Sequence, residues 1–406
     1  MKSNYDILGN HIRLIDTRNR ESITDRVLGI NIDKFFMPSV ANVIGTDLSK
    51  YKLITKGKFA CNPMHVGRDE RLPVALYDEE EPAIVSPAYF MFEVVDNSIL
   101  NEDYLMMWFR RPEFDRICWL HTDGSVRGGI TWDDICRLEL PIPPIENQLE
   151  IVNSYKAITE RIALKQKIND NLEAQAQALF TSWFVNFEPF DHSNDEDGKA
   201  LPPDNWENGT LGSCIDFLNG YAFKSDDLLD EPTDNCYDVF KMGNIKKGGG
   251  LNYDGTKSWI EREFCIGLER FVLRTGDILM SMTDMKENVA LLGHTALMDI
   301  ENKYIVNQRV GLLRPNGYLS ISPYQIYLLT NNPAFLRELR RHAHIGVQVN
   351  LSKEDIVNSR LIYAPKEVNV NFENLVRPIF KAISLNNAEI LKLNDVAIQI
   401  QAQLSR

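Results

Sequence analysis

Apolar residues recur at spacings of three and four along one stretch in the middle of the chain, residues 143–187. After its opening double proline, this stretch contains no Pro or Gly and is rich in strong helix formers, so we expect a continuous helix. Its apolar stripe has the heptad spacing of a coiled-coil seam, interrupted by two polar members. The seam comprises Ile158, Ile162, Lys165, Asn169, Leu172, Ala176, Leu179 and Trp183.

Shorter alternating segments lie on both sides of this helix and are typical of strands. Before it, we predict strands at residues 27–32, 58–62, 83–95 and 138–142, and helices at 103–111 and 112–120. After an exposed, acidic, Pro-containing linker, the same kind of pattern returns, with predicted strands at residues 239–245, 277–282 and 304–314. A second helical stretch, residues 370–406, follows. Both globular parts are therefore expected to be mixed α/β domains.

The second half repeats the first at a shift of 221 residues. Ile84-Val85 aligns with Ile305-Val306, Pro112 with Pro333, and Asp134-Ile135 with Asp355-Ile356. The shift continues into a second seam, whose members are Val376, Ile379, Ile383, Asn386, Ile390, Leu393, Ala397, Ile400 and Leu404. Because one shift without a gap relates domain edges and seams, we predict two copies of one unit. The two helices are expected to pack on each other, although each could instead pack on its own domain.

The predicted boundaries follow from these patterns: a first globular domain at residues 1–143, a central helix at 144–187, a linker at 188–205, a second globular domain at 206–364 and a C-terminal helix at 365–406.

Composition limits the possible functions. The 406 residues carry a net charge of −13, which argues against a protein that coats nucleic acid through bulk positive charge. There is no apolar run of membrane-spanning length and no signal-peptide pattern, so we expect a cytoplasmic protein. The six cysteines are scattered without a CxxC pair, which favours reduced thiols over a zinc ribbon or a disulfide framework.

Several stretches resemble the specificity (S) subunits of type I restriction-modification enzymes. The most diagnostic is LPIPPIENQLEIV at residues 140–152, an apolar strand followed by two prolines and a Gln that opens the helix. NLEAQAQALFTSWF at 171–184 and LPPDNWENGTLG at 201–212 are also similar to that family. The second junction, LIYAPKEVNVNF at 361–372, departs from the pattern because it keeps one proline and has no Gln at the matching place.

The resemblance implies a mixed α/β fold with two similar target recognition domains, separated by two long helices in an antiparallel coiled coil with an internal pseudo-two-fold repeat. Each domain would read one half of a bipartite target in double-stranded DNA. The helices would set the half-site spacing and dock two adenine-N6 methyltransferase (M) subunits, with restriction (R) subunits joining them. S-adenosylmethionine, Mg²⁺ and ATP would bind those partners, and this chain would bind no cofactor.

A search for catalytic motifs favours a non-enzymatic subunit. The sequence contains no GxGxxG, no GxxxxGK[ST] and no HExxH. Cys61 and His65 are four apart, but no second pair completes a metal site, so we expect no bound metal. Residues 248–250, Gly-Gly-Gly, are more typical of a flexible loop than of a phosphate cradle.

Candidate DNA contacts are basic and amide side chains in loops, because Arg, Lys, Asn and Gln read base edges and hold phosphates. In the first domain these are Lys50, Lys52, Lys56, Lys58, Asn62, His65, Arg68, Arg71, Ser125 and Arg127. In the second domain they are Lys246, Lys247, Arg337, Arg340, Arg341, His342, His344, Gln348 and Asn350. A solvated charged face is the alternative for many of them, and an interaction scaffold that binds protein is the alternative function.

Overall fold

The computed structural model describes residues 5–40, 45–64, 66–122, 128–285, 289–345 and 348–404. The chain divides into two compact units, one formed by Met1–Leu164 with Glu389–Arg406 and the other by Lys165–Ala388. Each unit contains one globular domain and part of both long helices. These helices are α5, Ile145–Phe184, and α9, Lys366–Gln403, in chain order.

Among the residues that the structure describes, the globular domain of the first unit has ten strands and four short helices. The strands are β1 Tyr5–Ile7, β2 Ile12–Ile15, β3 Val27–Ile30, β4 Phe36–Pro38, β5 Lys52–Ile54, β6 Lys58–Cys61, β7 Val74–Tyr77, β8 Ala83–Val85, β9 Phe90–Val94 and β10 Glu139–Pro141. The helices are α1 Val66–Asp69, α2 Glu102–Phe109, α3 Pro112–Leu120 and α4 Trp132–Cys136. One sheet has the order β2-β9-β6-β7, a second has the order β4-β3-β8-β5, and β1 pairs with β10.

Aromatic residues of the first sheet and of α2 form the core of this domain. The rings of Phe59 and Phe92 stack at 5.0 Å, and Phe109 meets Phe59 edge-on at 5.8 Å. Both sheet residues are nearly fully buried, as alternation along half-buried strands requires.

The beginning of α5 and the end of α9 complete the first unit. Val152 of α5 and Leu404, the residue directly after α9, are buried in the same core as the sheet. Gln401 Nε2 donates to Tyr155 Oη at 3.0 Å, and Arg161 Nε donates to Glu389 Oε1 at 2.7 Å. The two segments therefore run antiparallel within this unit.

In its described ranges, the globular domain of the second unit has twelve strands and three short helices. The strands are β11 Glu207–Thr210, β12 Ile215–Asn219, β13 Cys236–Phe240, β14 Trp259–Glu261, β15 Ile278–Ser281, β16 Thr283–Met285, β17 Thr295–Leu297, β18 Tyr304–Val306, β19 Val310–Pro315, β20 His344–Ile345, β21 Gln348–Asn350 and β22 Arg360–Tyr363. The helices are α6 Pro323–Thr330, α7 Pro333–Arg341 and α8 Lys353–Val357. The sheets have the orders β12-β19-β15-β17, β14-β13-β18 and β16-β21-β20, and β11 pairs with β22.

The two domains follow one plan. The order β12-β19-β15-β17 reproduces β2-β9-β6-β7, and the parallel pair β13 and β18 reproduces β3 and β8. Helices α7, α8 and α9 begin 221 residues after α3, α4 and α5, the shift that the sequence predicted. In the described chain, the sheet β16-β21-β20 belongs to the second domain alone.

The end of α5 and the beginning of α9 lie together in the second unit. Lys165 Nζ donates to Asn386 Oδ1 at 3.0 Å, so a seam residue meets its own counterpart in the repeat. Phe184 of α5 meets Phe372 of α9 edge-on at 4.8 Å, and Trp206 packs on Phe184 at 5.7 Å. The predicted packing of the helices on each other is confirmed, and each segment also contributes to a domain core.

Burial follows the predicted seams. Every seam position from Ile158 to Trp183 and from Val376 to Leu404 is buried or half-buried. The heptad pattern therefore identified the packed face of each helix correctly. None of the helices in the described ranges is both long and apolar enough to cross a membrane.

Three predicted strands are shorter than their apolar pattern suggested. The segments at residues 83–95 and 304–314 each form two strands separated by a turn, and the segment at 239–245 ends as a strand at Phe240. There Asn244 Oδ1 accepts from the backbone N–H of Lys241 at 2.9 Å, which closes a short turn in place of the strand ladder. Pro333, which aligns with Pro112 in the repeat, occupies the first turn of α7, where its missing N–H costs nothing.

The predicted linker is only partly exposed. Phe190 and Ala200 pack on a small cluster of Phe187, Trp206 and Ala364. The rings of Phe187 and Trp206 meet at 5.2 Å and 90°. The motif that ends α5 and the motif that opens the second domain therefore pack together.

Candidate nucleic-acid interface

Two loops of the first domain that carry predicted DNA contacts are joined by backbone hydrogen bonds. The loop after β6 holds Asn62 and Arg71, and the segment 128–130 precedes α4. Gly67 N–H donates to Gly128 O at 3.0 Å, and Ile130 N–H donates to Pro63 O at 3.1 Å. A Cβ on Gly129 would lie 2.9 Å from Pro63 O, so this approach requires glycine.

Some candidates of this domain fall outside what can be described. His65, Ser125 and Arg127 lie outside the described residues, and so does the side chain of Arg68 on α1. Asn62 Oδ1 accepts from Met64 N–H at 3.2 Å, so this side chain shapes its own loop.

The basic candidates of the first domain are paired with carboxylates. Lys56 pairs with Glu80, Lys58 pairs with Glu93, and Arg71 Nη1 lies 2.9 Å from Asp33 Oδ1. Lys50 lies 3.5 Å from Asp47 Oδ2. These four basic side chains therefore do not form a continuous unpaired surface.

Lys52 is buried and belongs to the fold. Its Nζ donates to Tyr89 O at 2.6 Å and lies 3.6 Å from Asp16 Oδ1. Burial lowers the pKa of this ammonium, and the Asp16 carboxylate opposes that shift.

In the second domain, the candidates on α7 and on the extra sheet converge. Arg340 Nε donates to Leu292 O at 2.9 Å, which ties the end of α7 to the loop after β16. Strand β21 carries Gln348 and Asn350, which face Met285 and Thr283 of β16, and Asn350 also faces His344 of β20. The extra sheet therefore places an imidazole and two amides in one region.

The basic side chains of α7 differ in their surroundings. Arg337 is exposed, and no ion pair involves it within the described ranges. Arg341 Nη1 lies 2.6 Å from Glu338 Oε2, and His342 lies 3.7 Å from the same carboxylate. Exposed pairs of this kind are worth little and can be exchanged for a phosphate partner.

Arg340 and His344 are more constrained. Removal from water lowers the pKa of Arg340, and the carboxylate of Asp284 opposes that shift. Its Nη2 is buried without a hydrogen-bond partner in the described part of the chain. His344 is exposed and lies 3.4 Å from Asp355 Oδ2.

Lys246 and Lys247 lie in a tight turn before three glycines. Lys246 N–H donates to Gly250 O at 2.9 Å, and Gly248, Gly249 and Gly250 all have positive φ. Gly250 N–H donates to Thr295 O at 2.9 Å. Both lysines are exposed, and neither forms an ion pair with any residue that the structure describes. Arg340 Nε donates to Leu292 O, so the segment of residues 292–295 is bonded both to the lysine turn and to the end of α7.

The structure adds one candidate that the sequence reasoning missed. Arg116 on α3 occupies the position of Arg337 on α7 at the shift of 221 residues. Both arginines are exposed, and Arg116 likewise has no ion pair among the described residues. It lines a cleft of about 650 Å³ with Arg71, Arg110 and Trp119. The repeat register was the signal that could have found it.

Within the described ranges, no group of three or more His, Cys, Asp or Glu side chains is placed to hold a metal ion. Burial raises the pKa of Cys118 to about 12 and that of Cys214 to about 11, which disfavours the nucleophilic thiolate.

The fold and the loops define a class of protein: a duplicated mixed α/β protein in which each copy ends in a long helix of the antiparallel pair and presents polar loops. A family model described as "Type I restriction modification DNA specificity domain" matches residues 203–394. The resemblance inferred from the sequence is thereby confirmed: this chain is similar to the specificity subunits of type I restriction enzymes.

Individual relatives show the same similarity. The type I restriction enzyme MjaIX specificity subunit of Methanocaldococcus jannaschii is 24% identical over 306 residues, which cover 72% of this chain and 66% of that protein. The HindI specificity subunit of Haemophilus influenzae is 29% identical over 159 residues, which cover 39% of this chain and 34% of that protein. The chain thus spans just under two thirds of the first relative and about one third of the second.

A solved structure supports the fold. The crystal structure of a type I restriction-modification system S subunit from M. genitalium has a TM-score of 0.54 and 13% identity, and the match covers 100% of this chain and 97% of that one. At this identity the comparison shows a common fold.

Proposed function

We propose that this chain is the DNA sequence-specificity subunit of a type I restriction-modification complex and performs no catalysis itself. Each globular domain reads one half of a bipartite target in double-stranded DNA. The observation that carries the proposal is the recurrence, in both domains, of a polar loop after β6 or β15 and a second polar segment before α4 or α8. A protein that contacts two half-sites in the same way needs the same surface twice.

Electrostatics fits this role despite the net charge of −13. Screening restricts the interaction of exposed charges to about 10 Å at moderate salt, so local clusters decide phosphate binding. The second domain offers the exposed basic side chains of Lys246, Lys247 and Arg337. The first domain offers Arg116, with Arg71 and its partner Asp33 beside it. We infer that these side chains hold phosphates and that Gln348 and Asn350 approach base edges.

The long helices have a second role in the proposal, as the docking surface for the methyltransferase. Leu149 and Leu164 are 41% and 59% exposed in the first unit, and Val370 and Leu385 are 37% and 63% exposed in the second. Each member of one pair has its counterpart 221 residues away in the other. Exposed apolar side chains that recur in one register suit one partner fold bound twice. We therefore propose two adenine-N6 methyltransferase subunits as the occupants.

The remaining chemistry belongs to other subunits in this proposal. S-adenosylmethionine, Mg²⁺ and ATP bind the methyltransferase and restriction subunits, which join this chain in the cytoplasm. The alternative function, a scaffold that binds protein through its two domains, is supported by the carboxylate-paired lysines of the first domain.

One experiment separates the two functions. The chain is co-expressed with its proposed methyltransferase partner, in a host without other adenine methylation, and the genome is sequenced for N6-methyladenine. We expect a bipartite motif methylated on both strands. A complex that forms, contains both subunits and methylates no motif would refute the specificity role and favour the scaffold. The double variant Leu164→Glu and Leu385→Glu is expected to abolish co-purification, whereas Leu120→Glu, exposed on α3, leaves it intact.

A further inference from the structure

A chain of hydrogen bonds runs along the polar part of the helix seam in the second unit. Lys165 Nζ donates to Asn386 Oδ1 at 3.0 Å, and Asn386 Nδ2 donates to Asn169 Oδ1 at 2.8 Å. Asn169 Nδ2 then donates to Asn387 Oδ1 at 2.8 Å. The polar residues that interrupt the two heptad seams therefore satisfy one another, which buried amides require.

The chain continues out of the seam into the second globular domain. Asn387 Nδ2 donates to Asp299 Oδ2 at 3.2 Å, and Tyr253 Oη donates to the same oxygen at 2.6 Å. Burial, and then the neighbouring Asp299 carboxylate, raises the pKa of Tyr253, so the phenol stays protonated and serves as the donor. Asp299 thus joins a domain side chain and a helix side chain through one oxygen.

The first copy of the repeat lacks this connection. The counterpart of Asp299 is Asp78 and that of Asn387 is Gln166, and both are exposed. The counterpart of Asn169 is the apolar Ile390. In the first unit, Lys156 on α5 instead pairs with Asp103 at 2.6 Å, with both side chains more than a third exposed. Such a pair is weak and tolerates movement.

Hydrogen bonds to a carboxylate that is shielded from water are directional. They restrict rotation and sliding of the domain on the helices in a way that apolar contacts do not. A second polar contact, between Tyr327 of α6 and Glu173 of α5, ties the same domain to the same helix pair. The second domain is therefore held on the helices by buried or half-buried polar side chains at two places.

We propose that Asp299 is a positioning residue that fixes the second globular domain in one orientation on the helix seam and thereby restricts the half-site spacing that the protein accepts. This inference rests on the proposed function. Without Asp299, the domain keeps its reading surface but gains freedom on the seam. The bases read are then unchanged, while the spacer between the half-sites is less strictly selected.

The test uses the complete complex of this chain with its methyltransferase subunits. A plasmid library carries both half-sites separated by spacers of varied length, and methylation at each length is measured by sequencing. For Asp299→Ala we expect the preference for the native spacer over spacers one base pair longer or shorter to fall about tenfold, as the loss of one hydrogen bond to a charged group implies. Half-site sequences stay the same.

Matched variants separate positioning from general damage. Asp299→Asn retains a carbonyl acceptor and is expected to restore most of the spacer preference. Asp78→Ala, the exposed counterpart in the first domain, is expected to have no effect. If Asp299→Ala does not assemble, Tyr253→Phe and Asn387→Ala remove single links and carry the same test. An unchanged spacer preference in variants that assemble and methylate normally overturns the proposal.

The failure of this inference is distinguishable from failure of the proposed function. If the wild-type complex methylates no motif, the proposed function fails. The positioning role is then tested by hydrogen exchange, which Asp299→Ala is expected to accelerate in residues 383–390 of α9. Unchanged exchange there refutes the tie between the domain and the seam.

Discussion

At the residue scale, the two long helices begin with different buried amide side chains, and both amides bond backbone groups at the junction with the preceding domain. Gln148 at the start of α5 is fully buried, accepts from Asn101 N–H at 2.9 Å and donates to Pro143 O at 2.7 Å. Asn369, at the same position of α9, is also fully buried and donates to Ala364 O at 3.2 Å. Its Oδ1 accepts from Gln325 Nε2 at 2.9 Å. The missing Gln of the second junction is therefore replaced by a shorter amide with the same task.

The side chains of α7 give a prediction at this scale. Arg337→Ala is expected to weaken binding of DNA containing the target several-fold at moderate salt and to reduce the salt dependence by about one released counterion, since this exposed guanidinium is assigned to a phosphate. Arg341→Ala should have a similar but smaller effect, because Arg341 must first leave Glu338. Fluorescence anisotropy over a salt series measures both.

Arg340 is expected to behave differently from its neighbours. Arg340→Ala removes the donor to Leu292 O, so it should lower the thermal unfolding midpoint as well as DNA affinity. Arg377→Ala on α9 is the control for Arg341→Ala, because Arg377 pairs with Glu373 at 2.8 Å much as Arg341 pairs with Glu338. Arg337→Ala with wild-type affinity and salt dependence would remove α7 from the interface.

At the element scale, short helices begin where local side-chain signals allow them. Both α4 and α8 start with a capping box, in which Thr131 and Asp134, or Ser352 and Asp355, satisfy each other's backbone N–H groups. Helices α2, α6 and α7 are likewise capped by Asn101, Ser322 and Asn332. These caps were visible in the sequence, but α4 and α8 are too short for hydrophobic periodicity to reveal them.

The capping boxes predict an acid-sensitive contribution to stability. Hydrogen bonds from Thr131 hold the pKa of Asp134 below its ordinary value. Burial would raise the pKa of Asp355, but the hydrogen bonds from Ser352 outweigh burial, so the pKa of Asp355 is also lowered. Folding therefore lowers the pKa of both carboxyl groups. The stabilisation is fully present at a pH above their unfolded-state pKa, and it is lost as the pH falls through their folded-state pKa, below about pH 4.

Variants of the first capping box test this directly. Thr131→Ala should cost about 1 kcal/mol of unfolding free energy at pH 7. Asp134→Asn should narrow the difference in unfolding midpoint between pH 7 and pH 3, and Asp133→Asn, an exposed neighbour outside the box, should not. Equal pH profiles for Asp134→Asn and wild type would show that the box contributes nothing to acid stability.

At the scale of the whole molecule, the chain is a duplicated unit in which one heptad pattern is used twice. Each compact unit takes the end of one long helix and the beginning of the other, so neither unit is contiguous in sequence. Removal of one helix therefore leaves both cores incomplete.

Truncation after residue 365 should leave the remaining chain insoluble or aggregated in size-exclusion chromatography.

The helix pair also predicts a change in DNA spacing. Deleting residues 156–162 together with 391–397 removes one heptad from each helix and keeps both seams in register. Seven residues of helix correspond to about 10 Å, or about three base pairs. Methylome sequencing should then find the same half-sites with a shorter spacer. Deleting only one of the two segments breaks the seam and should abolish assembly. A motif with its original spacer in the double deletion would contradict this role.

Much of the fold could be predicted from the sequence because its signals are local. The heptad seams, the shift of 221 residues and the helix at Pro112–Leu120 follow from periodicity and from punctuation by proline. The candidate site was less predictable. The sequence indicated loops in both domains that carry candidate DNA contacts. In the structure, however, lysines of the first domain are paired with carboxylates. The sequence reasoning also overlooked Arg116.

The sequence by itself determined that there are two copies of one unit and which faces of the long helices are covered, since both follow from spacing along one chain. Only the tertiary structure decided which charges remain available. Glu80 lies 24 residues from Lys56, and Asp299 lies 88 residues from Asn387. No local pattern specifies these partners, because strand pairing and domain packing bring them together. The same polar residues that interrupt a seam in the sequence become, once folded, the connection between helix and domain.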